Sequence, residues 1–243
     1  SRLSTVVKRN DTLARFNADI FGVILQDLSH GETIDNIVGR IMHSLRQPYF
    51  VDGSPIQLHA SIGITLFPND GVDAPTLLRH AELAVDKAKG GGGNSSVFFD
   101  PTLAEAAEHR RHLENDLRLA IRDHHFVLFL QPIVDLRSNR LTGAEALIRW
   151  RHPNRGLIMP DKFIPIAEQS GLINEVGLWV LESACQQLLD WQRAGHDYSL
   201  SLNVSGKQIP LGLSPEAVAE TVQRYGIAPE KLALEITEGI LLS

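Results

Sequence analysis

Gly143-Ala144-Glu145-Ala146-Leu147-Ile148-Arg149-Trp150-Arg151-His152-Pro153 is the stretch whose reading decides the fold. Residues 143–150 read as a β-strand, and because side chains alternate along a strand, Glu145, Leu147 and Arg149 share one face. A carboxylate and a guanidinium in one interior-facing row each demand a partner, since an unpaired charge removed from water is costly. Outward from this strand, strand patterns at 126–134, 199–204 and 231–237 alternate with helical patterns at 175–191 and from Ser214 onward. Ser214-Pro215-Glu216 is a strong helix start, with a capping serine, proline at the first position and an acid in the first turn. The alternation is the rhythm of a (β/α) barrel.

Upstream, strand-like runs at 21–25, 58–67 and 97–99 alternate with helix-like stretches at 33–45 and 76–89, an α/β or α+β pattern, and residues 1–8 read as a helix. Leu77, Ala81, Ala84, Val85 and Ala88 share a helix face, Asp73 is a candidate N-cap, and Gly90 to Gly93 end the helix. The four glycines are not followed by the lysine and Ser/Thr of a phosphate loop, so they read as a C-cap. From 102 to 124 the pattern is helical, with Leu113, Leu117, Ala120 and Ile121 forming an apolar stripe.

A boundary near Asp100-Pro101 then gives an α/β domain over 1–100, a linking helix over 101–125, and from 126 to 243 the first half of a modified (β/α) barrel. A complete barrel takes about 250 residues. The chain is therefore expected to continue past Ser243, or to be completed by another chain that covers the open strand edge.

Composition narrows the function classes without naming one. With 43% hydrophobic and 21% charged residues among 243, the sequence is that of an ordinary globular protein. A net charge of -6 with no long basic run lacks the electrostatic footprint of a nucleic-acid polymer reader. The single cysteine, Cys185, excludes an intramolecular disulfide and reads as a small core hydrophobe in a reducing compartment. No apolar run reaches the roughly 20 residues a membrane span needs, and the start at Ser1 lacks a signal-peptide layout. A cytoplasmic segment without membrane contact is expected, although a longer parent could be anchored elsewhere.

Three oxygen-bearing side chains fall near the C-terminal ends of predicted strands: Glu145, Asn203 and Glu235. Barrel enzymes build their sites there. Two carboxylates and an amide, with no Cys or His cluster, form a hard-oxygen set suited to Mg²⁺ or Mn²⁺, and the planar fork of Arg149 suits a phosphate. The alternative is structural: Glu145 and Arg149 form an ion pair and Asn203 caps a turn. Spacing alone leaves both open. The adjacent His124 and His125 point to different faces and make a poor metal pair, His152-Pro153 reads as a turn, and Trp179 and Trp191 read as packing on one helix face.

Five blocks of sequence carry a resemblance. Gln131-Pro132-Ile133-Val134-Asp135, the stretch 143–153, Phe163-Ile164-Pro165-Ile166-Ala167-Glu168, Asn203-Val204-Ser205 and Leu234-Glu235-Ile236-Thr237-Glu238 are similar in order and spacing to EAL domains. That family has a modified barrel fold and hydrolyses cyclic di-GMP to linear pGpG with divalent metal. The resemblance implies metal ligands at Glu145, Asn203 and Glu235, a phosphate contact from Arg149, substrate contacts at Gln131 and Leu147, and a loop-bracing role for Glu238. The family's later elements, an aspartate pair, a lysine and the glutamate acting on water, have no counterpart before Ser243, so the general base is expected beyond it and this chain is expected to be inactive alone.

Residues 1–100 resemble the later part of a GGDEF domain through Asp11, Ala14, Arg15, Ser61-Ile62-Gly63-Ile64, Ala81-Glu82-Leu83-Ala84 and Ala88-Lys89. The signature itself is altered to Asn17-Ala18-Asp19-Ile20-Phe21: both glycines are gone, and Ile20 replaces a carboxylate. Loss of a ligating carboxylate weakens metal binding and loss of glycine narrows the approach of a triphosphate, so no diguanylate cyclase activity is expected. The feedback motif Arg-x-x-Asp stands here as Lys8-Arg9-Asn10-Asp11, without the bidentate fork. The implied whole is a cyclic di-GMP phosphodiesterase with a regulatory GGDEF-like domain, expected to form a homodimer through the GGDEF-like or the EAL domain. The rival readings are a receptor that binds cyclic di-GMP without cleaving it, and a scaffold with neither ligand nor activity.

Overall fold

The computed structural model describes residues 2–26, 33–209 and 212–236. The chain divides into two compact units, Ser1–Glu108 and His109–Ser243.

In the first unit, the antiparallel pair β1 (Thr12–Arg15) and β2 (Phe21–Ile24) forms a hairpin. Helix α1 (Ile34–Arg46) follows, and then a second antiparallel hairpin, β3 (Tyr49–Val51) with β4 (Ser54–Ile56). Its turn is made by Asp52 (φ 48) and Gly53 (φ 81), left-handed angles that an Asp-Gly pair supplies at little cost. Strand β5 (Ile62–Ile64), helix α2 (Ala74–Gly90) and strand β6 (Ser96–Phe98) form a parallel crossover unit. Gly63 is where α2 crosses closest, since a Cβ there would lie 2.1 Å from the carbonyl oxygen of Ala81. Thr33 and Asp73 cap α1 and α2 by accepting from the amides of Asn36 and Thr76. The glycines after α2 act as the predicted stop, with Gly92 at φ 102 and Gly93 at φ 72. Two predicted elements shrink: the described residues 2–8 contain only a 3-10 turn, Leu3–Thr5, and the strand over 58–67 is confined to Ile62–Ile64.

Helix α3 (Pro101–Arg122) runs through the division, which falls between Glu108 and His109 inside it. His124, at φ 56, takes the left-handed position just beyond the helix. In the second unit, β7 (Phe126–Asp135) and β8 (Arg140–His152) form a long antiparallel hairpin, and β9 (Gly156–Ile158) adds to the far end of β8. Helices α4 (Pro160–Ser170) and α5 (Ile173–Arg193) lead to β10 (Ser199–Val204), which pairs parallel with β8. Helix α6 (Pro215–Arg224) returns the chain to β11 (Leu232–Ile236), parallel to β10, so the sheet order is β11-β10-β8-β7. Crossovers that cover one sheet face with helices are the α/β arrangement.

Two clusters hold this unit. One joins Ala144 and Ala146 of β8, Leu200, Leu202 and Val204 of β10, and Leu181, Ala184, Cys185 and Leu188 of α5. The other packs Leu113 and Leu117 of α3 around Phe126, Trp150 and Phe163. Each fully buried leucine, such as Leu117 or Leu181, contributes about 1.5–3 kcal/mol relative to an exposed one. Cys185 is the core residue expected, and burial pushes its thiol up to about 11. Trp179 and Trp191 do not share a face: the first lies 5.5 Å from Phe126 and the second packs edge-on against Tyr198. Twelve residues rotate a helix by about a third of a turn from any starting face.

Candidate functional site

Alternation along β8 sends Ala144 and Ala146 into the helix-packed core and leaves Glu145, Leu147 and Arg149 half-buried on the opposite face. Register then fixes their neighbours. Gln131 of β7 stands directly across from Glu145, and Phe129 across from Leu147. On the other flank Ser201 of β10 pairs with Glu145, and two residues further along Asn203 pairs with Glu235 of β11. Gln131, Glu145, Asn203 and Glu235 thus lie on one sheet face across four adjacent strands.

Asn203 Nδ2 donates to Glu145 Oε1 at 2.6 Å, joining two residues 58 positions apart. Arg149 makes a different set of contacts: its Nη1 donates to the carbonyl of Ile148 at 2.8 Å, and the guanidinium lies 5.5 Å from the Phe129 ring centroid. Glu145 is therefore partnered by an amide from a neighbouring strand and not by Arg149. Among the described residues Asn203 caps no turn. Glu238 lies outside the described residues.

The donor chemistry fits a divalent cation of the Mg²⁺ or Mn²⁺ class. All the donors offered by Glu145, Asn203 and Glu235 are oxygens. With the Asn203 nitrogen committed to Glu145, the amide oxygen is the atom left for a cation. Among the described residues no group of three or more His, Cys, Asp or Glu side chains gathers as a metal site, so the oxygen set consists of two carboxylates and this amide.

Sequence reading missed Ser201, which is 6% exposed with its hydroxyl unpaired among the described residues, in register with Glu145. Its signal was only its place two residues before Asn203. His152 is the predicted turn residue: Nδ1 accepts from the amide of Asn154 at 3.1 Å, and Nε2 meets Asp116 of α3 at 3.1 Å.

The altered motif of the first unit occupies the β1–β2 turn. The amides of Phe16 and Asn17 donate to the carbonyl of Ile20, while Arg15 donates to the carbonyls of Asn17 (3.1 Å) and Ala18 (2.6 Å). Among the described residues neither Asn17 nor Ala18 takes a positive φ, so the turn closes without glycine.

No helix among the described residues is long and apolar enough to cross a membrane. The "Diguanylate cyclase, GGDEF domain" family profile matches residues 1–95. Among curated relatives, the cyclic di-GMP phosphodiesterase NbdA of Pseudomonas aeruginosa is 35% identical over 242 residues, covering 99% of this chain and 31% of NbdA. The bifunctional diguanylate cyclase/cyclic di-GMP phosphodiesterase MucR of the same organism is 35% identical over 238 residues, covering 98% of this chain and 35% of MucR. The chain thus spans about a third of the length of these relatives. The solved PaMucR phosphodiesterase in complex with c-di-GMP aligns with a TM-score of 0.52 at 39% identity, over 54% of this chain and 53% of that one. The EAL enzyme Bd1971, in its cAMP- and cyclic-di-GMP-bound form, gives 0.53 at 27%, over 70% of this chain and 46% of that one. The EAL domain profile matches residues 114–243, the unit whose sheet carries Glu145, Asn203 and Glu235, and the chain belongs to the EAL domain family.

Proposed function

We propose that the protein carrying this chain is a cyclic di-GMP phosphodiesterase that hydrolyses the cyclic dinucleotide to linear pGpG. The observation that carries the reading is the Asn203–Glu145 contact of 2.6 Å with Asn203 in register with Glu235, which gathers three oxygen donors across adjacent parallel strands. Relatives named for this activity and EAL structures holding the ligand support the choice of substrate.

In this reading Glu145, Asn203 and Glu235 hold Mg²⁺ or Mn²⁺, and a bound divalent ion supplies charge neutralisation at phosphoryl oxygens and lowers the pKa of water. Asn203 also orients the Glu145 carboxylate through its amide nitrogen. Arg149 presents a delocalised cation beside the row for a phosphate, while Gln131 and Leu147 contact the dinucleotide. In this reading the described residues supply metal ligands and a phosphate contact, and none of them is assigned as the general base. The domain bounds follow: 1–100 GGDEF-like, 101–125 linking, 126–243 EAL. The first domain regulates or dimerises and makes no cyclic di-GMP, because its motif is Asn17-Ala18-Asp19-Ile20-Phe21 and its turn carbonyls are held by Arg15. A buried cysteine as the sole thiol suits a cytoplasmic setting.

The test is a turnover assay of the whole protein with cyclic di-GMP and Mg²⁺ or Mn²⁺, beside a Glu145→Ala control. Product pGpG from the wild type alone supports the reading. Tight cyclic di-GMP binding without product would make the protein a receptor.

A further inference from the structure

Asn203 is followed within two residues by a loop that is held from both sides. Ser205 Oγ donates to Glu168 Oε1 at 2.6 Å, which ties the loop to the last turn of α4. The amide of Ser205 donates to Gln208 Oε1 at 2.7 Å, and Gln208 Nε2 donates to the carbonyl of Ile173, the first residue of α5, at 2.8 Å. Gln208 is only 3% exposed, and the room for its amide exists because α5 carries glycine at 177: a Cβ there would stand 1.9 Å from Gln208 Nε2.

Burying an amide is costly unless its donor and acceptor are both used, and here both are. A loop needed only to connect β10 to α6 has no call for a buried amide, a carboxylate and a glycine vacancy converging on one serine. Two residues before that serine along the chain stands Asn203, whose nitrogen reaches Glu145.

We propose that Glu168 and Gln208 are positioning residues: by clamping Ser205 they fix the end of β10 and so the placement of the Asn203 amide against Glu145. The proposal rests on the phosphodiesterase reading for its consequence in catalysis, because a ligand displaced by about 1 Å costs rate without abolishing substrate binding. Removing the Glu168 acceptor frees one side of the clamp, while glutamine at 168 retains an oxygen for the Ser205 hydroxyl.

The test compares wild type, Glu168→Ala and Glu168→Gln in the whole protein by hydrogen exchange over residues 199–209, Mn²⁺ calorimetry and steady-state kinetics. In Glu168→Ala, exchange over the loop is expected to accelerate, Mn²⁺ affinity to weaken and kcat to fall about 10- to 100-fold with KM within about twofold. Glu168→Gln should recover most of each. A lowered melting temperature in Glu168→Ala with exchange, Mn²⁺ affinity and kcat unchanged overturns the proposal, as does equal loss in both variants. If the wild type turns over no cyclic di-GMP, the phosphodiesterase reading fails on its own. The exchange and Mn²⁺ arms then still decide whether Glu168 positions Asn203, and a wild type that binds no Mn²⁺ overturns both.

Discussion

Asn203 on β10 and Glu145 on β8 meet at 2.6 Å, amide nitrogen to carboxylate oxygen, although their strands are paired with Ser201, not Asn203, opposite Glu145. The contact is diagonal, reaching one pleat along the sheet. It leaves Asn203 as the register partner of Glu235 on β11, so the amide that contacts one carboxylate stands opposite a second on the neighbouring strand.

Changing Asn203 to aspartate keeps size and an oxygen donor but replaces the N–H that faces Glu145 with a second acceptor, setting two carboxylates against each other. Turnover is expected to fall by about 100-fold or more, with Mn²⁺ affinity altered and the fold retained. Kinetics beside circular dichroism of the variant checks this; wild-type kcat would remove Asn203 from the site.

Gly177→Ala should overpack α5 against Gln208, because the added Cβ would stand 1.9 Å from Nε2. A loss of about 1–3 kcal/mol is expected in denaturant unfolding, the usual range for forcing a methyl into a filled interior. An unchanged midpoint would mean that Gln208 has another place to go.

Asp135, at the β7–β8 turn, accepts from the amides of Ser138 and Arg137 and from the Ser138 hydroxyl. These bonds, the Ser138 amide foremost, hold its carboxyl below the ordinary 3.8. A pKa lowered by folding adds stability above the unfolded value, and this is lost as pH falls through the folded one. Asp135→Asn keeps an acceptor oxygen without the titration. The melting-temperature gap between wild type and variant should therefore narrow as pH drops from about 5 to about 2. A gap that stays constant with pH would show that the turn does not depend on the charge.

The cyclase motif yields a negative expectation. Incubated with GTP and Mg²⁺, the whole protein should form no cyclic di-GMP, since Ile20 cannot ligate a metal and Arg15 occupies the carbonyls of Asn17 and Ala18. Accumulation of cyclic di-GMP in a Glu145→Ala background would contradict this.

Much of this fold was written locally. The caps at Thr33, Asp73 and Ser214 and the glycine stop after α2 each depend on a side chain and the turn beside it. The Asp52-Gly53 hairpin carries a local turn signal too, but with strands of only three residues each it was passed over in the sequence. Helix α4 was hidden because Pro160 and Pro165 punctuate its eleven residues, and an interior proline ordinarily argues against a helix. In the site, strand alternation put Glu145 and Arg149 in one row, but whether they pair depends on what β7 and β10 bring alongside. That is register between segments some sixty residues apart, and no local pattern encodes it. The Glu168–Ser205 and Gln208–Ile173 contacts were illegible for the same reason.

The most direct measurement is pGpG formation from cyclic di-GMP by the whole protein in Mg²⁺ or Mn²⁺, wild type against Glu145→Ala. Metal-dependent product is expected from the wild type, abolished by chelation and by the substitution. Product formed equally well by Glu145→Ala, or no product from a folded wild type that binds metal and dinucleotide, would contradict it.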